Sequence, residues 1–313
     1  MTGPSTEPFV HPALFYRGEE EYLHGTVPFI RDGVKAGEPV AVAVPGPNLA
    51  LLKAALGEDV AKVTFLDMTE AGRNPGRIIP MVLRAFADTH RQTRVRIIGE
   101  PIWAGRSRVE YPACVQHEAL INPAFQGREV TILCPYDADR LDEQALTDAQ
   151  ATHPLIISGG RERPSTAYAP EHVVDRYNQP LEQPSAAEEF AFQAGQLPGA
   201  RRFAVEQAAR LGLSGVRLED VALIVAELTT NSVVHGGGSG ILRVWADDGQ
   251  VVCEVRDHGY LGDPLAGRCP PARDRLGGRG LLLVHTLADL VRIHTGPEGT
   301  AVRCYISRFT ARP

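Results

Sequence analysis

Residues 227–235 read Glu-Leu-Thr-Thr-Asn-Ser-Val-Val-His and end a predicted helix, residues 217–235, whose apolar positions cover a broad face. Within it, Glu227, Asn231 and His235 recur every four residues, so they project from one side of the helix. An amide oxygen can ligate Mg²⁺ bound to phosphates, and a carboxylate can accept a proton from an attacking hydroxyl. The stripe therefore suits a nucleotide site, although it would equally suit an ordinary polar helix face.

Two glycine-containing segments follow this helix. Asp257-His258-Gly259 closes a predicted strand, where the carboxylate could accept a hydrogen bond from an exocyclic amine and the glycine would let backbone approach a flat ring. Residues 277–281, Gly-Gly-Arg-Gly-Leu, lead into a predicted helix whose free N–H groups and dipole favour phosphate. Either segment alone is weak, because such glycines often serve only as turn formers. Their order behind the helix is what favours a nucleotide site.

Taken in order, these segments resemble the N, G1 and G2 boxes of the Bergerat ATPases, which include gyrase, chaperone, histidine-kinase and mismatch-repair relatives. The matching segments are residues 227–231, 257–259, 278–281 and a final Gly299-Thr300. The helix pattern E-L-x-x-N-x-x-x-H and residues 280–289 look most like the branch that contains the anti-sigma-factor serine kinases. The resemblance implies an α+β two-layer sandwich over residues 187–313 that binds ATP and Mg²⁺.

The resemblance also implies roles for individual residues. Glu227 would be the general base, and Asn231 would hold Mg²⁺. Asp257 would read the adenine amine beside Gly259, and Thr300 would support the adenine contact.

Four further residues match the phosphate-binding segment of the family. Gly278, Gly280 and the N–H groups around Leu281 would cradle the phosphates of ATP, and Arg279 would add positive charge. His235 lies where the family often has a histidine, but an ordinary surface role is the more frequent alternative.

The segment after Gly259 departs from the family pattern. Residues 260–264 read Tyr-Leu-Gly-Asp-Pro rather than the fuller glycine-rich sequence, so the lid, residues 263–277, would close differently. Its arginines could either touch phosphates on closure or be solvated charges on a mobile loop. They are Arg268, Arg273 and Arg275.

The segment that precedes the predicted ATP-binding domain bears on the kind of activity. His172 lies among Pro170, Val173 and Val174 without a long heptad pattern, which disfavours a self-phosphorylating sensor histidine kinase. We therefore predict a serine/threonine protein kinase that acts on a regulatory protein, either a sigma factor or an anti-sigma-factor antagonist. The alternatives are a non-catalytic regulator that uses ATP only as an allosteric ligand and an atypical histidine kinase. Relatives pair through sheet edges, so the resemblance is compatible with a homodimer.

The first half of the chain alternates short apolar runs with longer helical stretches, which predicts a doubly wound, RecA-like α/β domain over residues 1–163. The predicted strands are residues 40–44, 63–66, 95–99, 130–134 and 155–158. The predicted helices are residues 48–56, 76–89, 111–122 and 142–151. The segment has no G-x-x-x-x-G-K-[ST], so the usual phosphate-binding loop is absent.

Three segments of this half, residues 29–40, 116–122 and 134–137, look like the MEDS domain, which is named for sensory regulators of methanogens and methylotrophs. The resemblance implies a sensory domain with a small-molecule ligand. Polar and aromatic side chains near the predicted strand ends or on a helix could bind that ligand or simply be satisfied structural residues. They are His24, Glu100, Trp103, Glu118, Tyr136 and Asp137.

The sequence contains no established metal-binding motif. His117, Glu118 and His153 could bind a metal ion, but their spacing matches no established motif. The cysteines never form a C-x-x-C pair, so we expect reduced, mainly buried thiols. They are Cys114, Cys134, Cys253, Cys269 and Cys304.

The composition of the chain limits its possible partners and its location. A formal net charge of −6 and a pI near 5.9 argue against direct nucleic-acid binding. No signal-peptide pattern or long apolar run is present, so we expect a cytoplasmic protein that neither spans nor binds a membrane. Residues 164–186 contain four prolines and many polar residues, which predicts an extended, weakly packed connector between the two domains. Within it, residues 170–179 could still form a helical turn.

Overall fold

The computed structural model describes residues 8–269 and 278–309. The chain divides into two compact units between Tyr177 and Asn178, inside the segment predicted as a connector. Within the described ranges, no helix combines the length and apolar character needed to cross a bilayer.

An eight-stranded sheet forms the centre of the first unit. Its strands are β1 Phe9–Val10, β2 Pro12–Tyr16, β3 Val40–Val44, β4 Val63–Asp67, β5 Val95–Gly99, β6 Val130–Asp137, β7 Leu155–Ser158 and β8 Arg161–Pro164. The order is β4-β3-β5-β6-β2-β7-β8, with β1 also beside β6, and every pair is parallel except β7 with β8. Strands β1 and β2 both pair with β6 and with the same residue offset, so His11, which lies between them, is also beside β6. All five predicted strands of this half are confirmed.

Helices cover both faces of this sheet. They are α1 Gly18–Ala36, α2 Gly46–Leu56, α3 Met68–Ala71, α4 Arg84–Thr89, α5 Tyr111–Phe125, α6 Glu143–Thr152 and α7 Pro170–Tyr177. Helices α1 and α2 pack on Leu14 and Leu133 of one face. Helix α5 lies against His11 and Cys134, which point to the opposite face. The mixed α/β class is confirmed, and the RecA-like assignment stays a prediction.

Two expectations for this unit need correction. The helix predicted over residues 76–89 is a 3₁₀ turn Pro75–Arg77, a π-helix Ile79–Leu83 and α4, because Pro80 cannot donate the N–H that a regular helix needs. The helical turn allowed over residues 170–179 of the connector is present as α7, but it is not weakly packed, since its Val173 is buried. Arg176 and Tyr177 of α7 bond to the buried carboxylate of Asp148, so this part of the connector is packed.

In the described residues, the second unit is a two-layer sandwich of one sheet and three α-helices. Its strands are β9 Glu188–Gln193, β10 Ser239–Asp247, β11 Gln250–Asp257, β12 Leu290–Gly296 and β13 Gly299–Ser307. Its helices are α8 Leu197–Arg210, α9 Val216–His235 and α10 Gly280–Leu287. The sheet order is β12-β13-β11-β10-β9, and all pairs are antiparallel. The predicted α+β sandwich is confirmed.

The core of this unit explains why α9 is helical and where it lies. Its apolar face, including Val221, Ile224 and Leu228, packs with Val244 and Val251 of the sheet in one buried cluster. Burying such side chains stabilises the fold by about 1.5–3 kcal/mol each. The opposite side of α9 is left for polar residues.

The register of the sheet brings predicted site residues together. Residues 247–250, Asp-Asp-Gly-Gln, predict a hairpin turn between two strands, and the structure confirms it between β10 and β11. The φ angles are positive, 36° at Asp248 and 77° at Gly249, as a two-residue turn of this hand requires. The pairing of β11 with β13 places Asp257 opposite Thr300. Two residues 43 positions apart in sequence are thereby brought to one end of the sheet.

Candidate functional site

A cavity of about 760 Å³ opens between α9, the ends of β11 and β13, and the start of α10. This volume lies within the usual range for small-molecule sites, roughly 300–1,000 Å³. Most of the predicted site residues line it, and only Glu227 and Arg279 do not. Those that line it are Asn231, Asp257, Gly259, Gly278, Gly280, Leu281 and Thr300.

Asp257 is held in place from two sides at the end of β11. Its Oδ2 accepts a hydrogen bond from Oγ of Ser232 at 2.6 Å, and its Oδ1 accepts one from the backbone N–H of Gly259 at 2.8 Å. A carboxylate has about four lone-pair positions, so this side chain can still accept a hydrogen bond from a ligand. Ser232 was not predicted, although its place directly after Asn231 on α9 is the signal that could have found it.

Three glycines allow close packing around Asp257. A Cβ at Gly236 would lie 2.3 Å from Cγ of Asp257, and one at Gly259 would lie 2.7 Å from the carbonyl oxygen of His235. At Gly299, where φ is 128°, a Cβ would lie 2.0 Å from the carbonyl oxygen of Asp257. These glycines are therefore required by the packing of the protein itself, in addition to any contact with a ligand.

Thr300 orders the loop that follows Asp257. Its Oγ1 donates to the carbonyl oxygen of Gly259 at 2.9 Å and lies 2.8 Å from Oγ1 of Thr295. Thr295 in turn accepts from the N–H of Leu261 at 2.9 Å. The single hydroxyl proton of Thr300 is donated to the carbonyl oxygen of Gly259. The hydroxyl of Thr295 must therefore be the donor in its hydrogen bond with Thr300. Thr295 was also missed from the sequence, since only the strand pairing reveals it.

The start of α10 lies directly against the polar stripe of α9. A Cβ at Gly280 would lie 2.6 Å from Oε2 of Glu227 and 3.4 Å from Nδ2 of Asn231. Glu227 therefore borders the cavity through Gly280 without lining it. Arg279 is exposed at the N-cap position, and its side chain makes no capping hydrogen bond. The first N–H groups of the helix thus keep their attraction for an anion.

Two predictions around the cavity have a mixed outcome. His235 is exposed and lines the cavity, which leaves its role a prediction. Arg268 is only 5% exposed, so it is not a solvated charge. It lies near buried His285, and burial together with the charge of Arg268 lowers the pKa of that ring. Arg273, Arg275 and Gly277 fall outside the described residues.

The candidate sensory residues of the first unit separate into different surroundings. Glu100 is buried at the end of β5, where Asn48 donates to both carboxylate oxygens at 3.0 and 2.8 Å and the hydroxyl of Tyr16 lies at 3.4 Å. The others are spread over exposed His24, half-buried Trp103 and Asp137, and buried Glu118 and Tyr136. The six residues therefore differ widely in burial, and their part in ligand binding stays a prediction.

The burial of Glu100 predicts a pH-dependent stability. Burial raises the pKa of this carboxyl from its ordinary value of 4.5 to about 8, against the opposing effect of the bonds from Asn48 and Tyr16. Between these values the folded state binds more protons than the unfolded state, so the free energy of unfolding falls as the pH rises. We expect Glu100→Gln to flatten this decline, measured by urea unfolding monitored through Trp103 in a Trp245→Phe background. The control is Glu143→Gln, a change at an exposed carboxylate, which should keep the decline of the intact protein. If Glu100→Gln also keeps that decline, the buried carboxyl of Glu100 is not its cause.

Comparisons with known proteins address the two units separately. Residues 10–154 match the family model of MEDS, the methanogen/methylotroph, DcmR sensory domain. Residues 190–306 match the model of the histidine kinase-like ATPase domain. A search of curated proteins finds no match.

Solved structures that match include the RsbU and RsbW domains of Rv1364c from Mycobacterium tuberculosis. That match has 19% sequence identity and a TM-score of 0.30, and it covers 41% of this chain and 35% of the other. The chain thus spans about a third of the length of that structure. On the two domain matches, the chain joins a MEDS domain to a histidine kinase-like ATPase domain.

Proposed function

We propose that the second unit binds ATP with Mg²⁺ and that the chain is a signalling regulator, an anti-sigma-factor-like serine/threonine protein kinase with an N-terminal sensory domain. The observation that carries the proposal is the single cavity shared by Asp257, Asn231 and the start of α10. It combines an acceptor suited to an amine, a ligand suited to Mg²⁺ and N–H groups suited to phosphate.

The adenine base would occupy the end of the cavity at the strand ends. Asp257 would accept a hydrogen bond from the exocyclic amine, and its two existing bonds hold the carboxylate in the orientation for doing so. Thr300 would act by fixing the backbone of Gly259 beside the ring. Leu228 and Val302 supply apolar surface in the same cavity.

The phosphates would occupy the end of the cavity between α9 and α10. Asn231 would ligate Mg²⁺, whose charge would offset the negative charge on the phosphates. Gly278, Gly280 and the N–H groups around Leu281 would contact the phosphate oxygens, and exposed Arg279 would add a mobile positive charge.

Glu227 is the proposed base for transfer to a partner. It would accept the proton of a serine or threonine hydroxyl while that oxygen bonds to the γ-phosphorus and the bond from this phosphorus to the bridging oxygen breaks, leaving ADP. The proposal is supported by the proximity of Glu227 to Gly280, which lines the end of the cavity proposed for the phosphates. The partner would be a sigma factor or an anti-sigma-factor antagonist.

A non-catalytic regulator is the second candidate. It is favoured by one observation, that Glu227 borders the cavity without lining it. In that case ATP would set the affinity for a partner and no phosphate would be transferred. A histidine kinase is less well supported, because the described segment between β8 and β9, residues 165–187, contains only the eight-residue helix α7 around exposed His172.

The test of the proposal is binding of a fluorescent ATP analogue in the presence of Mg²⁺. The intact chain should bind the analogue, and Asn231→Ala and Asp257→Asn should each weaken it. Asn231→Ala should also reduce the dependence of binding on Mg²⁺. Equal binding by all three proteins would place the nucleotide elsewhere.

A change at Gly236 should weaken nucleotide binding although every proposed ligand-binding residue keeps its identity. The Cβ of Gly236→Ala would lie 2.3–2.7 Å from three atoms of the Asp257 carboxylate, so Asp257 must move and break its present hydrogen bonds. Loss of one charge-assisted hydrogen bond predicts about a 10-fold weaker affinity for ATP. Gly195→Ala, where a Cβ meets open space, is the control in the same titration. Unchanged affinity in Gly236→Ala would argue against the role of Asp257.

A further inference from the structure

Four side chains capable of binding a metal meet inside the first unit. They come from the junction of β1 and β2, helix α5, strand β6 and the C-cap of α6. They are His11, Glu118, Cys134 and His153, all at most 1% exposed, and their donor atoms lie within 4.8 Å of one another. Two of them, Glu118 and His153, were considered as metal ligands from the sequence, whereas His117 does not belong to the cluster.

Three of the six distances between the four donor atoms match those of a tetrahedral metal site, and the other three are at most 4.8 Å. Oε2 of Glu118 lies 3.4 Å from Nε2 of His11 and 3.3 Å from Nε2 of His153. Sγ of Cys134 lies 3.4 Å from Nε2 of His11. With zinc bonds of about 2.0–2.1 Å to nitrogen and oxygen and about 2.3 Å to sulfur, adjacent donors in a tetrahedron lie about 3.3–3.6 Å apart. The donors are therefore already spaced for one central ion.

Both imidazole rings are oriented with a lone pair toward the centre. Nδ1 of His153 lies 2.8 Å from the carbonyl oxygen of Ala149, which can only accept, so this nitrogen carries the proton. Nδ1 of His11 lies 3.2 Å from Oδ1 of Asn122. The amide of Asn122 is fixed in that orientation because its Nδ2 donates to the carbonyls of Ala119 and Thr152 at 3.1 and 2.9 Å. Each Nε2 is thus an acceptor, and the Nδ1 bonds are those that orient histidine ligands in metal sites.

An array of acceptors in a buried place requires a cation. Among the described residues, no hydrogen-bond donor satisfies either carboxylate oxygen of Glu118 or Nε2 of His153. A buried carboxylate beside two imidazole lone pairs is strongly unfavourable without a compensating positive charge.

We propose that His11, Glu118, Cys134 and His153 form a structural Zn²⁺ site in the first unit, with two imidazole nitrogens, one carboxylate oxygen and one thiolate as ligands. Binding would release the thiol proton of Cys134 to solvent and leave the sulfur as a thiolate. Four protein ligands close the coordination sphere, as in structural rather than catalytic zinc sites. The ion would tie the β1–β2 junction, α5, β6 and the end of α6 together, independently of the nucleotide site.

The test uses the full-length chain, refolded with Co²⁺ as a spectroscopic probe and with Zn²⁺ for the metal content. The intact protein should bind one ion per chain and give the visible bands of tetrahedral Co²⁺ together with a near-ultraviolet thiolate-to-cobalt band. Cys134→Ser should lose the thiolate band. Its affinity for Zn²⁺ should fall by more than the roughly 10- to 100-fold typical of losing a residue that only orients a ligand.

Cys114→Ser is the matched control, because Cys114 is also a buried thiol of the first unit but does not belong to the cluster. It should keep both the stoichiometry and the spectrum of the intact protein. Failure of the intact, folded protein to bind either ion would overturn the proposal and leave a proton shared by Glu118 and the two histidines. A thiolate band that survives in Cys134→Ser would overturn it as well.

Discussion

Replacing Asp257 with asparagine should weaken ATP binding about 10- to 100-fold, the effect of losing a hydrogen bond to a charged group, about 1.5–3 kcal/mol. The carboxylate accepts from Ser232 and Gly259 and has lone pairs left for an amine. An amide would turn one of its oxygens into a donor, which must then oppose the hydroxyl of Ser232, the N–H of Gly259 or the ligand amine. The measurement is titration of an ATP analogue, with circular dichroism to show that the variant is folded.

Asp263→Asn is the control for this prediction. Asp263 lines the same cavity, but it is exposed, and its Oδ1 accepts from the N–H of Leu265 in its own loop. It should bind the analogue with nearly the affinity of the intact protein. If Asp263→Asn weakens binding as much as Asp257→Asn, the effect is one of overall charge, and Asp257 does not read the base.

Replacing Glu227 with glutamine should separate binding from transfer. We expect phosphoryl transfer to fall about 100- to 10,000-fold, the usual contribution of a general base, while ATP affinity changes little. The reason is that Glu227 contacts Gly280 at the edge of the cavity but does not line it. Transfer is measured with γ-labelled ATP and candidate antagonist proteins as acceptors, followed by identification of the phosphorylated serine or threonine.

Glu219→Gln, an exposed change in the first turn of the same helix, is the control and should transfer phosphate normally. Full activity in Glu227→Gln would remove Glu227 from the mechanism. Absence of transfer by the intact protein, combined with normal ATP binding, would favour the non-catalytic regulator. An acid-labile phosphohistidine on the chain itself would instead favour the histidine kinase.

The parts of the fold that the sequence predicts well are those with local signals. Helix α9 and the β10–β11 hairpin follow from apolar periodicity and the turn residues Asp248 and Gly249. Helix α1 was missed because Gly25 and Pro28 interrupt its pattern. The structure shows why Gly25 is there, since a Cβ would lie 2.5 Å from Leu14 of β2.

The residues of the candidate nucleotide site also fall into those with a local sequence signal and those without one. Asn231, Asp257 and the glycines of α10 belong to short ordered motifs, so the sequence alone places them together. Ser232 and Thr295 act only through contacts across the fold, at sequence separations of 25 and 34 residues from Asp257 and Leu261. No local pattern marks such residues.

The proposed zinc site shows the limit of sequence spacing more strongly. Its four residues lie at positions 11, 118, 134 and 153, and only the parallel pairing of β2 with β6 and β7 brings three of these segments side by side. The chain spacing therefore matches no metal-binding motif, even though the donor atoms are spaced for one ion. Metal sites of this kind are predictable only after the strand order is known.

The most direct test of the central claim is isothermal titration calorimetry of ATP into the intact, folded chain, with and without Mg²⁺. We predict saturable binding at one site per chain that is stronger when Mg²⁺ is present. No binding in either condition, with the fold shown intact by circular dichroism, would contradict the account. The cavity between α9, β11 and α10 would then be a scaffold for contacts with a protein partner.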